Sequence, residues 1–379
     1  MLKNRVFLLL APLLFFSGLL AREFWEKTHP SSRLLQSSPQ PWMTPLGASS
    51  GSSPGICENF YHFICKKQGD GSDPTGSVRS DIQGEKIALS LYRDIILEHR
   101  NWSVEQIDEE MAKRTFNTKR RARLQSAFQW VKTQMIAFIE AQPSAVFTTS
   151  EKKQIQSRLQ KTQLQIPPPA SLYSDEPDLL TKNEIYYERT LDHRRKLRVG
   201  GAYVFIAKSW FNIVFTMAHE LAHSIDPCEL RAERLSFPAY DHLNACLIQA
   251  GIIDLRKDRF ECGANDQLSE TFADWMAVQI TAVALQEAST RFQPHQLVDA
   301  IRNSVRDLCE QEEDTELFET DFHPPPQIRI TQIFGAHPII QSLLACPASA
   351  PVSSYCGFKT YTSENLTQPQ LKGLRLYEK

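Results

Sequence analysis

The residues with the most chemical content are His219, Glu220 and His223, in the run Phe215-Thr-Met-Ala-His-Glu-Leu-Ala-His-Ser-Ile-Asp226. Two histidines four apart on a helix share one face, one turn apart. They can aim two imidazoles at one ion. Zinc is the usual occupant of such an H-E-x-x-H pair, and the glutamate after the first histidine is placed as general base on the water that the metal activates. A catalytic tetrahedral site needs a third protein ligand and one open position. Ser269-Glu-Thr-Phe-Ala-Asp274 offers that ligand downstream. Glu270 and Asp274 are again four apart. Glu270 is the expected ligand, and Asp274 the expected carboxylate behind a ligating imidazole. Asp226, at the end of the first helix, is expected in the same supporting role. A third constellation is Asp321-Phe-His-Pro-Pro-Pro-Gln-Ile-Arg329. An imidazole at His323 suits an oxyanion. A guanidinium at Arg329 suits a substrate carbonyl or carboxylate.

Each piece has a blander reading. H-E-x-x-H can fall by chance on an amphipathic helix. Glu270 alone is a carboxylate favoured by a helix N-terminus, and His323 alone is a loop residue. Their succession in one chain favours the metal. The elements that must carry them are legible too. The histidines lie in an apolar, helix-forming run. Glu270 opens the run Trp275–Leu285, which reads as a buried helix.

These three motifs, taken together, resemble the zinc-binding core of the neprilysin and endothelin-converting enzyme family of metallopeptidases. That family has H-E-x-x-H, then E-x-x-x-D, then D-x-H with an arginine six residues beyond the histidine. Cys57-Glu-Asn-Phe-Tyr-His-Phe-Ile-Cys65 is similar to the start of the family's extracellular domain. Asn183-Glu-Ile-Tyr186 keeps the Asn and Tyr of the family's N-A-x-Y substrate-binding strand without its Ala. Val204-Phe-Ile-Ala207 resembles its V-F-P-A strand without the Pro. The resemblance implies a thermolysin-like zinc metallopeptidase domain, α+β and mostly α, with a reduced helical domain over the cleft. It implies His219, His223 and Glu270 on one Zn²⁺, Glu220 as base, His323 at the oxyanion and Arg329 on the peptide. With the covering region reduced, unfolded protein chains as well as peptides are expected substrates. It also implies the disulfides Cys57–Cys346, Cys65–Cys309 and Cys246–Cys356, leaving Cys228 with Cys262. The rival class is an inactive secreted binding protein on a metallopeptidase scaffold. The complete set of metal and catalytic positions, Glu220 above all, favours the enzyme.

The rest of the chain is consistent with that expectation. Lys3 and Arg5 precede an apolar stretch to Leu20, and residues 1–21 read as a secretory signal. The alternative is an uncleaved anchor, the one route to a membrane. Residues 22–56 are rich in Ser, Pro and Gly and read as a flexible linker. Residues 57–180 are expected to be helical, with three or four helices between Asp81 and Gln165, and 181–379 to form the catalytic domain. There, strands are expected at Asn183–Tyr187 and within Lys196–Ala207. Further helices are expected at Tyr240–Gly251, Pro294–Glu313 and Pro326–Ala345. Hydrophobic residues make up 42% of the chain and charged residues 23%, as in ordinary folded proteins. Eight cysteines behind a signal favour disulfides in a secreted, periplasmic or surface protein, and none shows C-x-x-C spacing. Lys119-Arg120-Arg121-Ala-Arg123 reads as a solvated helix face or an anion contact. With a formal net charge of −2, nothing points to nucleic acid.

Overall fold

A computed structural model of the chain describes residues 55–65, 80–167, 178–205, 209–253, 267–312, 323–346, 356 and 358–359. The leader and nearly all of the linker lie outside them. So do Asp321, Phe322 and Cys262, and with Cys262 the expected Cys228–Cys262 pair.

The protein is mostly helical, with one small sheet. A short helix α1 (Phe60–Cys65) is followed by four helices, α2 (Ser80–Glu98), α3 (Val104–Thr115), α4 (Thr118–Ala141) and α5 (Thr149–Lys161). Their starts follow capping rules. Ser103 and Thr148 form capping boxes with Gln106 and Glu151, and the Asn117 side chain accepts from Arg120 N. Phe128, Val131, Met135, Phe138 and Ile139, spaced three and four apart along α4, form a buried stripe. On α2, Ile95 is buried with Ala88, while Ile87 and Ile96 lie at the surface. Of the basic cluster at the start of α4, Lys119 and Arg123 are exposed, as on a solvated face, while Arg120 and Arg121 are partly buried on backbone carbonyls. Arg120 Nη1 donates to Thr115 O at 2.9 Å, and Arg121 donates to the carbonyls of Ile166 and Pro167.

The sheet has the order β1-β3-β2, from β1 (Gln163–Gln165), β2 (Ile185–Arg189) and β3 (Arg195–Val199). β1 runs parallel to β3, and β2 antiparallel to it with Tyr187 opposite Leu197. The strand expected over Lys196–Ala207 ends early. At Gly200 and Gly201 the chain passes so close to residues 180–182 that a Cβ would strike the carbonyls of Lys182 and Leu180. Ala202–Val204 then forms a 3₁₀ turn rather than strand.

Ser209 caps α6 (Trp210–Ala222), which is buried almost all round. It tightens into a 3₁₀ turn, His223–Ile225, and Asp226 caps α7 (Pro227–Ala232). Then follow α8 (Pro238–Gln249), α9 (Gln267–Ser289) and α10 (Pro294–Ser304). The last helix expected over Pro294–Glu313 changes to 3₁₀ at Arg306–Glu312. The helix expected over Pro326–Ala345 is three pieces: one turn Pro326–Ile328, a π-helical segment Arg329–Phe334, and α11 (Pro338–Leu343). Pro338 lacks the N–H a continuous helix needs.

α6 and α9 form the most extensive helix pair, and α4 lies against α6 from the other side. α9 is buried around nearly its whole circumference, as a central helix must be. The helical region and the remainder therefore share one core. Three disulfides join described residues: Cys57–Cys346, Cys65–Cys309 and Cys246–Cys356, each with Cα atoms 5.5 Å apart. These are the three pairs the resemblance implies. No described helix is long and apolar enough to cross a membrane.

Candidate metal centre

α6 presents His219 and His223 toward the first turn of α9. His219 Nε2 and His223 Nε2 are 3.3 Å apart, and Glu270 Oε2 lies 3.1 Å and 3.5 Å from them. An ion bound at about 2.0–2.1 Å by tetrahedral ligands requires edges of about 3.3 Å between them. The three measured edges straddle that value.

The outer nitrogens explain why these faces converge. His219 Nδ1 meets Asp274 Oδ1 at 2.9 Å, and His223 Nδ1 meets Asp226 Oδ2 at 3.1 Å. Carboxylates accept only, so each Nδ1 donates its proton outward; a neutral imidazole then turns an Nε2 lone pair inward, and a protonated one donates from Nε2 to Glu270. In the neutral state, two lone pairs and a carboxylate at such distances suit a cation between them. Ser269, just before Glu270, adds its hydroxyl to Asp226 Oδ2. Asp226 Oδ1 meanwhile accepts from Glu229 N at 2.6 Å. One carboxylate thus aligns His223 and starts α7.

His323 enters from the loop before the Pro326 turn. Its Nε2 lies 2.9 Å from Glu270 Oε2, so that one oxygen has three imidazole nitrogens within 3.5 Å. His219, Glu270 and His323 also offer ligand atoms within 4.8 Å of one another. His219 and His223 share the helix face and the carboxylate backing, and their side chains are 7% and 13% exposed. That of His323 is 30% exposed, on the side open to an incoming molecule.

Glu220 stands beside the cluster, with Oε1 4.0 Å from His219 Nε2. Its Oε2 accepts from the Tyr187 backbone N–H at 2.8 Å. Burial lifts the Glu220 carboxyl above its ordinary range, against the pull of His219 and His223. Burial acts the same way on Glu270, but His223, with hydrogen bonds from His219, His223 and His323, holds it well below. Two neighbouring carboxylates are thereby driven in opposite directions.

Arg329, expected on the substrate, has a protein partner as well. Its Nε and Nη2 fork onto Asp274 Oδ2 and Oδ1 at 2.6 Å and 2.9 Å. The side chains are 4% and 1% exposed. This guanidinium lines the cavity, yet its fork closes on a protein carboxylate.

The cluster opens into a cavity of about 710 Å³ whose wall includes Ile185, Tyr186 and Tyr187. In the antiparallel pair, Glu184 O accepts from Gly200 N and Thr190 N donates to Arg194 O. By alternation the backbone groups of Tyr186 and Glu188 face β3, and those of Ile185 and Tyr187 face outward. The Tyr187 N–H on Glu220 agrees. Motif reading missed Tyr187, because a backbone N–H has no sequence signature. It missed Glu229 as well, which accepts from Tyr187 Oη at 3.1 Å and pairs with Arg195. Ser269 stood within the S-E-T-F-A-D run and was readable as a polar neighbour of the ligand.

Family models, curated proteins and solved structures offer no match to this chain. The geometry gives a cluster of His219, His223, Glu270 and His323 able to hold a metal ion, with a buried carboxylate and the outward edge of β2 beside it.

Proposed function

We propose that the chain is a secreted or surface zinc endopeptidase of the neprilysin and endothelin-converting enzyme type, with a thermolysin-like catalytic core. The observation that carries this is the triangle of His219 Nε2, His223 Nε2 and Glu270 Oε2, with Glu220 at its side. His219, His223 and Glu270 would hold the zinc, which would supply a Lewis acid and lower the pKa of its water toward about 7. Glu220, its proton affinity raised by burial, takes a proton from the attacking water and delivers it to the leaving amine nitrogen. The outward edge of β2 at Ile185 and Tyr187 binds the extended peptide backbone as an added strand. That engagement draws the Tyr187 N–H from Glu220 and frees the carboxylate for its proton. The His323 imidazole stabilises the oxyanion. Arg329 acts on the site through Asp274 and the tilt of His219. Three disulfides support an oxidising compartment.

The test is a pair of variants. Glu220→Gln is expected to retain one zinc per chain and lose at least a hundredfold in kcat on a quenched peptide library. Glu270→Gln is expected to lower zinc occupancy. Near-normal turnover in the first, or full zinc stoichiometry in the second, removes the mechanism. Wild-type protein that binds zinc and cleaves nothing leaves the inactive binding protein as the reading.

A further inference from the structure

The short helix α7 stands between the two halves of the site. Its capping residue Asp226 aligns His223. Its first turn also carries Glu229, which lines the cavity and reaches the other way, to β2. The Tyr187 hydroxyl donates to Glu229 Oε1 at 3.1 Å. Arg195 Nε lies 3.3 Å from that same oxygen, and Arg189 Nη1 lies 3.5 Å from Oε2. Glu233, just past the end of α7, pairs with Arg195 and with Arg158 of α5. Arg189 ends β2 and Arg195 begins β3, opposite one another in the ladder. Both strands are thus moored to the helix that seats a ligating histidine.

Most of this mooring is explained by stability. The side chains of Arg158, Arg195 and Glu229 are 7%, 9% and 9% exposed, and charges so placed need opposite ones. The arginines meet that need by themselves. The Tyr187 hydroxyl carries no charge, so its bond to Glu229 is not required by the ion pairs. What the bond does is fix one side chain on the strand edge, and a hydrogen bond to a carboxylate is both strong and directional. Tyr187 is also the residue whose backbone N–H meets Glu220 at 2.8 Å. Its ring lies beside the His223 imidazole, with centroids 6.4 Å apart and planes at 29°. A slip or roll of β2 would carry that N–H, and the outward groups available to an added strand, away from the ligands. Resting on the peptidase reading, we propose that Glu229 is a positioning residue: through the Tyr187 hydroxyl it holds the outward edge of β2 in register with His223 and Glu220, so that a bound peptide presents its scissile bond to the base.

The test uses zinc-loaded protein and a ladder of quenched alanine-based peptides, from tetrapeptide to octapeptide. The parent is expected to gain about tenfold in kcat/KM as the peptide becomes long enough to pair with Ile185 and Tyr187. Tyr187→Phe removes only the phenolic donor and leaves the arginines on Glu229. It is expected to lose most of that gain and to keep the parent's zinc affinity. Glu229→Gln retains an acceptor oxygen for the hydroxyl and should keep part of the gain. Glu229→Leu should lose as much as Tyr187→Phe, and the two together no more than Glu229→Leu alone. If Glu229→Leu does not fold, Tyr187→Phe and Glu229→Gln carry the comparison. A parent that gains nothing with length, a gain untouched by Tyr187→Phe, or losses that add in the double variant overturns the proposal. So does a fall in zinc affinity in Tyr187→Phe that matches its fall in activity, the mark of a bond that only stabilises the fold. The same ladder, titrated by fluorescence anisotropy into zinc-loaded Glu220→Gln protein with and without Tyr187→Phe, separates the two readings. Binding that tightens with length and loses this with Tyr187→Phe, in a chain whose wild type cleaves nothing, removes the peptidase and keeps the positioning role. Cleavage with a length gain indifferent to Tyr187→Phe does the reverse.

Discussion

Arg329→Met separates two roles for one guanidinium. A substrate grip and a clamp on Asp274 predict different losses. In the structure Asp274 is 1% exposed and Arg329 4% exposed, joined by two hydrogen bonds of 2.6 Å and 2.9 Å. Methionine keeps the length and apolar stem but leaves a buried carboxylate without its cation. Breaking one side of such a pair costs about 3–5 kcal/mol. Burial by itself would raise the Asp274 pKa. Arg329, with His219, overcomes that and holds it far below the ordinary carboxylate value. A depressed native pKa contributes stability that is present above the unfolded value of about 3.9 and is lost as pH falls through the native one. The penalty of Arg329→Met is thus expected in full at pH 7 in urea melts, and smaller when the melts are run below about pH 4. Asp274 also orients His219 through Nδ1, so zinc affinity, read by competition with a chromophoric chelator, should fall 10- to 100-fold. Arg329→Lys, unable to fork, should recover part of the stability and less of the zinc affinity. A raised KM for peptides with stability and zinc affinity intact would refute the clamp and restore the substrate grip.

Glu287 gives a pH test away from the site. It is 4% exposed with neither carboxyl oxygen hydrogen-bonded, and burial lifts its pKa to about 8 while Arg291 pulls weakly downward. The native state keeps a proton that the unfolded chain releases above about pH 4.3, so stability falls as pH rises from there through 8. Glu287→Gln removes that loss: it should match the parent near pH 4.5 and exceed it by about 3 kcal/mol at pH 9, after allowance for solvent screening; a difference constant with pH refutes this. For the disulfides, replacing Cys57 and Cys346 together with serine should cost about 4 kcal/mol, because Cys65–Cys309 already shortens the loop the bond closes to about 45 residues. An unchanged melting temperature would show that the reduced chain is already restrained there.

What the sequence makes legible is what local spacing encodes. His219 and His223, or Glu270 and Asp274, share a face because a helix turns every four residues or so. The buried stripe of α4 follows the same rule. What escapes depends on partners distant in sequence or on backbone atoms. Arg329 looks like a substrate ligand in its own motif, and only folding brings it onto Asp274, 55 residues earlier. The strand ends at Val199 rather than running on because Gly200 and Gly201 pack on residues 180–182. Arg120 and Arg121 look like free charge until the carbonyls of Thr115 and Ile166 come within reach.

The bonds that fasten α1 across the molecule also bear on how the protein is made. Cys57 and Cys65 are synthesised early, and their partners lie 289 and 244 residues later. At about 5–20 residues per second, the early thiols wait on the order of ten seconds to a minute for them. During that interval they are near each other and then near Cys228 and Cys246, none of which is the right partner. His219, His223 and Glu270 all leave the ribosome before Cys309 does. The helices that carry the ligands can therefore pair, and take up a metal, while both clasps are still open. Correct oxidation then follows from a core already in place, which draws α1 against the Arg306–Glu312 turn. Where the core assembles first, the crosslinks record the fold rather than dictate it, and an oxidant that joined thiols faster than the core assembled would trap this chain with the wrong pairs.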